Sequence, residues 1–171
     1  WGTRGSIATP GPSTVRFGGN TSCVEVNTDE GHLFLLDCGT GARALGAALM
    51  ERQPRPTTIT ILLGHTHWDH IQGFPFFAPL FDRGNQITVC GPEGSGRSLR
   101  DVLAGQMEFT YFPLELGQLP AAMTFREVGE GVHEIGGARV VAQYLNHPTM
   151  TIGYRIEADG ATLVYASDHE P

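Results

Sequence analysis

Apolar positions along the chain alternate between two spacings. Residues 22–27 and 33–37 read as strands, split by the turn signal at Asp29 to Gly31. A helix is predicted over 41–52, with Leu45, Ala48 and Leu49 on one face and Pro54 and Pro56 beyond its end. The β-branched run 57–63 predicts a buried strand. The apolar, aromatic stretch 71–81 suggests a short helix bent by Pro75 and Pro79. A strand follows over 86–90. Ser98 and Asp101 then form a capping box for a helix carrying Leu99, Val102 and Leu103. Residues 109–120 look irregular, whereas 123–128 and 139–145 look like strands. Strict alternation over 151–157 and a return over 161–166 flank Asp159-Gly160, a hairpin turn signal. The opening, 2–21, reads as loop, and the Gly18-Gly19 and Gly94-Ser95-Gly96 stretches fit turns better than phosphate-binding loops. Intermixed strands and helices with late hairpins indicate an α/β (α+β) domain with a mixed sheet, one domain over 1–171.

Composition narrows the class. At 171 residues, 40% hydrophobic and 17% charged, the chain can bury a core and does not read as disordered. No run of about 18 apolar residues occurs, so no membrane span is expected. No charged segment leads into an apolar core, so no secretory leader is expected either. The net charge of −7 argues against a grip on long nucleic acid. The three cysteines, Cys23, Cys38 and Cys90, are odd in number and none stand at C-x-x-C spacing. They are expected to be reduced, buried thiols of a cytoplasmic protein, with neither a disulfide nor a zinc–cysteine site.

The chemistry concentrates in Gly64-His65-Thr66-His67-Trp68-Asp69-His70, directly after a predicted strand. Residues two apart on extended backbone project to one side, so His65 and His67 can share an ion. A change of direction then lets Asp69 and His70 face the same pocket. Imidazole and carboxylate ligands suit zinc, iron or manganese. Solvated loop histidines are the bland alternative, and a poor one for three of the chain's seven histidines beside an apolar strand.

His147 and Asp168 are the next candidates. A hairpin centred on Asp159-Gly160 pairs residues whose numbers sum to roughly 319, which brings both to its open end. Read alone, His147 before Pro148 is an ordinary loop histidine and Asp168 a turn residue. Beside the cluster both become ligands. Two ions about 3.5–4 Å apart would share a carboxylate and a hydroxide, lowering the pKa of water and neutralising developing charge.

His65-Thr66-His67-Trp68-Asp69-His70 resembles the H-x-H-x-D-H signature of the metallo-β-lactamase superfamily. Leu35-Leu36-Asp37-Cys38-Gly39-Thr40-Gly41 is similar to its earlier strand-end Asp segment, and His147 and Asp168 to its later His and bridging Asp. Asp69-His70-Ile71-Gln72-Gly73-Phe74-Pro75, Gly2-Thr3-Arg4-Gly5-Ser6 and Gly18-Gly19-Asn20-Thr21-Ser22 resemble the ribonuclease Z and cyclic-nucleotide phosphodiesterase branch. The resemblance implies an αββα sandwich with its C-terminal part missing and the site at one edge of two facing sheets. It implies two divalent ions, zinc foremost, with manganese or iron as alternatives. His65, His67 and His147 would hold one ion, Asp69 and His70 the other, and Asp168 would bridge. Asp69 would also be the catalytic acid/base. The superfamily commonly supplies a further His beyond the bridging Asp, which this chain does not contain, so a weak or absent second ion is expected. Trp68 stands where ribonuclease Z commonly has Gly. Together with the acidity, this points to a hydrolase of small phosphodiesters or esters, possible as a homodimer, rather than a tRNA processor. The alternative is a non-hydrolytic di-iron redox or sensor domain of the same fold.

Asp37 is a candidate for orienting a ligand histidine, with a strand-end cap as the equal alternative. Trp68 and His169 are candidate substrate contacts. For Trp68, packing against Phe74, Phe76 and Phe77 is the favoured alternative; for His169, a strand-end surface role is. Asn20 and Ser22 approach the site on the resemblance alone. His32 and His133 show no partner in the sequence.

Overall fold

In a computed structural model describing residues 1–94 and 96–171, two β-sheets lie face to face, with helices packed on the outside of one. Ser95, the centre of one Gly-rich turn, lies outside the described residues. The first sheet runs in the order β1 (Val24–Asn27), β2 (Leu33–Leu36), β3 (Thr58–Leu62), β4 (Gln86–Pro92), β5 (Ala122–Val128). Only β1 is antiparallel to its neighbour. Parallel strands require crossovers, which α1 (Gly41–Glu51) supplies between β2 and β3 and α3 (Leu99–Gly105) between β4 and β5. The second sheet is an antiparallel meander of β6 (Gly131–Ile135), β7 (Ala138–Tyr144), β8 (Ile152–Ala158) and β9 (Ala161–Tyr165). No helix of the described residues is long and apolar enough to cross a membrane.

Alternation of side chains explains the layering. Leu33, Leu35, Ile59, Ile61, Ile87 and Val89 turn toward Leu45 and Leu49 of α1 and Leu103 of α3. Phe34, Leu36, Leu62 and Cys90 turn the other way, onto Val140, Ala142, Ile152, Tyr154 and Ile156 of the second sheet. The opposite face of that sheet carries exposed Val132, Arg139, Arg155 and Val164, and no helix covers it among the described residues. Three of the four layers of an αββα sandwich are therefore present.

Elements depart from expectation in three places. The first strand starts at Val24, not at position 22. The helix expected over 71–81 is instead α2 (Trp68–Ile71) followed by two 3-10 turns, Phe74–Phe76 and Ala78–Phe81. Pro75 and Pro79 each occupy the first turn of one, where a missing N–H costs nothing, so each starts a new turn rather than bending one helix. The third is β6, which the sequence did not reveal. The hairpin register is as expected: Tyr154 pairs with Tyr165 and Arg155 with Val164, and Asp159 and Gly160 both take positive φ. All three cysteines are free and buried, and burial raises the thiol pKa of Cys23 to about 12 and of Cys90 to about 11.

Candidate metal centre

The centre lies where β3 runs out against the second sheet. Three hydrogen bonds fix the junction. Gly64 N–H donates to Asp37 Oδ1 at 2.8 Å, Ile152 N–H to the Gly64 carbonyl at 2.8 Å, and the Tyr154 hydroxyl to the Leu63 carbonyl at 2.8 Å. His67 keeps extended backbone (ψ 152°) and caps the single turn of α2, which reverses the chain and returns Asp69 and His70 toward His65. Cys38 and Gly73 hold that turn against the end of β2: Cys38 N–H donates to the His70 carbonyl and Gly73 N–H to the Cys38 carbonyl. Backbones touch here. A Cβ on Gly39 would lie 2.2 Å from the Asp69 carbonyl oxygen, and one on Gly73 would lie 1.9 Å from the Gly39 carbonyl oxygen. Only glycine permits that approach.

Two groups of ligand atoms converge. His65, His67 and His147 place one ring nitrogen each within 4.8 Å of one another, and His65, His70 and Asp168 do the same. Asp168 Oδ2 sits centrally, at 3.7, 3.6 and 3.7 Å from Nε2 of His65, His70 and His147. Asp69 falls outside both triplets; its Oδ2 is 3.3 Å from His70 Nε2 and accepts the Ser6 N–H at 2.7 Å. Five of the six expected ligands thus fall in these two groups, and Asp69 lies beside them against His70. The register of β8 and β9 does not itself pair His147 with Asp168. Both lie past the strand ends, and loops bring them together.

The donor set fits a cation. Ring centroids of His65 stand 4.5 Å from His67, 4.1 Å from His70 and 4.9 Å from His147, a spacing that several imidazolium charges could not share. Burial, then the neighbouring His70 and His67, pushes the His65 pKa down to about 3, so this ring is neutral and its lone pair free. Both ring nitrogens of His65, Nε2 of His70 and Nδ1 of His147 are buried without hydrogen-bond partners. Glu170 Oε1 is 3.3 Å from His147 Nδ1 but outside hydrogen-bond geometry. Buried nitrogens left bare cost stability unless something positive meets them.

Asp37 decides how His70 is presented. It is fully buried, takes a positive φ of 56°, and accepts from His70 Nδ1 at 2.5 Å. Burial opposes a charge on His70, but the hydrogen bond and the charge of Asp37 outweigh it, and the ring's pKa is raised. The bond fixes the Nδ1–H tautomer and leaves Nε2 toward the pocket. This favours the orienting role of Asp37 over the strand-end cap. Behind it, the Ser22 hydroxyl donates to the Tyr165 hydroxyl, which donates to Asp37 Oδ2, both at 2.5 Å. Tyr165 and the Ser6 N–H escaped the sequence reading. Tyr165 belongs to no motif, Ser6 ends the quoted Gly2-Thr3-Arg4-Gly5-Ser6 segment but acts through its backbone N–H, and both reach the site across long stretches of chain.

Several other readings change. Trp68 does not pack against Phe74 and Phe77, which are buried in the helix-side core; it is 76% exposed, because α2 points it away from them. His169 is exposed and its Nδ1 accepts the Asn146 N–H at 3.1 Å, tying the His147 loop to the end of the chain. His32 and His133 do have partners: Thr60 Oγ1 at 2.9 Å and the Gly129 carbonyl at 2.9 Å.

A family model described as a beta-lactamase superfamily domain matches residues 32–171. The chain belongs to that family. Ribonuclease Z of Exiguobacterium sibiricum is 27% identical over 128 residues, which are 72% of this chain and 39% of that protein. The chain therefore spans about two fifths of the length of this curated relative. Among solved structures, the metallo-beta-lactamase fold protein YhfI from Bacillus subtilis superposes with a TM-score of 0.65 at 16% identity, covering 98% of this chain and 59% of that one. The short form of human tRNase Z gives 0.63 at 21% identity, covering 95% and 65%. At such identities the structural likeness shows the fold alone.

Proposed function

We propose that this chain is the metal-binding part of a hydrolase that cleaves phosphodiester bonds in small substrates. The observation that carries this reading is the convergence of His65, His67, His70, His147 and Asp168 around buried, unpartnered nitrogens. His65, His67 and His147 would hold one divalent cation, His70 and Asp69 a second, and Asp168 would serve both. Nitrogen and carboxylate donors favour zinc, with manganese and iron as alternatives. A cation held there supplies Lewis acidity, lowering the pKa of water and offsetting negative charge on a phosphoryl oxygen. Asp69 Oδ2, which accepts the Ser6 N–H beside His70, would accept the proton of an attacking water. Asp37 keeps His70 in the tautomer that faces the pocket. The ribonuclease Z name of a relative supports phosphodiesters as the bond class. A net charge of −7 favours small substrates over long nucleic acid.

The test is turnover of bis(4-nitrophenyl) phosphate by protein loaded with Zn²⁺ or Mn²⁺, with metal content measured in parallel. Turnover lost in Asp69→Ala, with the cation of His65, His67 and His147 retained, is the expected result. Full metal loading with no phosphodiester hydrolysis would overturn the reading, and abundant iron with a visible absorption band would replace it with a redox or sensor role.

A further inference from the structure

We infer that the cavity behind the histidine motif is a subsite that seats the nucleobase of a nucleotide-type phosphodiester against Trp68. The inference deepens the phosphodiesterase reading and rests on it for the identity of the whole substrate. It starts from an alternation. His65, His67, Asp69 and His70 turn toward the metal centre. Thr66, Trp68, Ile71 and Gln72, interleaved with them, line a separate cavity of about 650 Å³. Thr66 and Trp68 alternate along the chain with His65, His67 and Asp69, so the cavity adjoins the motif, and its four aromatic rings set it apart from the recess at His147, which has Tyr144 alone. The volume lies in the range of small-molecule sites, about 300–1,000 Å³.

The lining specifies a flat ring. Trp68 from α2, Phe76 from the following turn, and Tyr111 and Phe112 from the loop after α3 meet there from three segments. Trp68 and Tyr111 are three-quarters exposed. Phe112 packs on the helix-side core and meets Phe76 edge-on at 5.5 Å, so these two make a fixed wall. Singly scattered aromatic rings need no explanation, but four converging on one recess do. The charged residues of the lining are Arg97 and Glu108, one of each sign. A cavity with no net charge beside a centre built for a cation divides the substrate: phosphate to the metal side, uncharged ring here. Gln72, whose Oε1 is buried without a partner, and Glu108 add acceptors suited to the amino and ring N–H groups of a base.

The chain has two tryptophans, so Trp1→Phe leaves Trp68 as the sole indole reporter. Adenosine 5′-monophosphate should quench its emission saturably, and ribose 5-phosphate should not. Tyr111→Ala and Phe76→Ala, neither of them a metal ligand, should each weaken the nucleotide about tenfold with metal content unchanged. Three results would overturn the proposal: no saturable quenching by the nucleotide, equal binding of the ribose phosphate, or indifference to both substitutions. Tighter quenching by phenyl phosphate than by the nucleotide would overturn the nucleobase as occupant. The readout needs no turnover. Quenching in a protein that hydrolyses nothing would keep the subsite and remove only the catalytic reading.

Discussion

The metal centre joins two halves of unlike construction. His65, Asp69 and His70 come from the end of β3 and from α2, in a sheet covered on both faces, and are 0%, 8% and 2% exposed. His147 comes from the loop between β7 and β8, and Asp168 from beyond β9, in an antiparallel sheet with one face in water; their side chains are 13% and 33% exposed. Parallel strands need burial on both faces, whereas antiparallel ones tolerate a wet side. Three of the motif's four ligands are thus held by packing before any ligand arrives, while His67 is exposed. The other half is held by a few loop hydrogen bonds, such as Asn146 N–H to His169 and Glu170 N–H to the Asn146 carbonyl. Buried, densely packed segments open last and loops open first. The motif half sets where a cation sits, and the loop half sets how firmly it is closed in.

The largest test compares ligands across this divide. His65 belongs to both triplets, His147 to one. His65→Ala should lower metal affinity more than a hundredfold, beyond the about 10–100-fold typical of losing an orienting partner. His147→Ala should lower it less and leave a weak residual site. Calorimetric titration with Zn²⁺ after chelation reads both. An equal or larger loss in His147→Ala would break the comparison.

A smaller effect should come from the groups behind His70. Asp37→Asn keeps the shape but loses the carboxylate that holds Nδ1–H, so metal affinity should drop about 10–100-fold. Tyr165→Phe removes one hydrogen bond to Asp37, with a net value of about 1 kcal/mol, and should cost roughly fivefold. The order matters more than either value. If Tyr165→Phe cost more than Asp37→Asn, the second sheet would be organising the motif half, the reverse of what burial indicates.

The two halves were also unequally legible in the sequence. Four ligands within six residues after an apolar run announce themselves, and β3 needed only its β-branched pattern. The hairpin register, which residues 154 and 165 obey, pointed to the end of the sheet where His147 and Asp168 lie, but both are past the strand ends and loops bring them together. What escaped was long-range or weakly patterned. β6 is mostly exposed, pairs on one side only and holds polar His133 and Glu134, so no apolar alternation marks it. Trp68 stands near three phenylalanines in sequence, yet it is exposed while Phe74 and Phe77 are buried, and it shares a cavity lining with Phe76 alone. The contacts of Tyr165 with Asp37 and of Ser6 with Asp69 span 128 and 63 residues. The second is made by a backbone N–H that no residue type reveals.

The smallest expected effect tests whether the edge of the first sheet can loosen without disturbing its centre. Glu25 on β1 is gripped by both guanidinium nitrogens of Arg52, just past α1, and by the indole N–H of Trp1 at 2.9 Å. The Arg52 hydrogen bonds lead in lowering the Glu25 pKa from 4.5 to about 2. A depressed carboxylate stabilises the fold fully above pH 4.5, and that contribution fades as pH falls toward 2, because the unfolded chain takes up the proton first. The group is partly solvated, so screening reduces its worth to on the order of 1 kcal/mol. Glu25→Gln should lower the thermal midpoint by a few degrees at neutral pH. It should also flatten the acid slope below pH 4.5, while zinc affinity at neutral pH stays unchanged. A parallel loss of zinc affinity would show that the edge and the centre unfold as one unit, and that burial at the motif depends on the rim of its sheet.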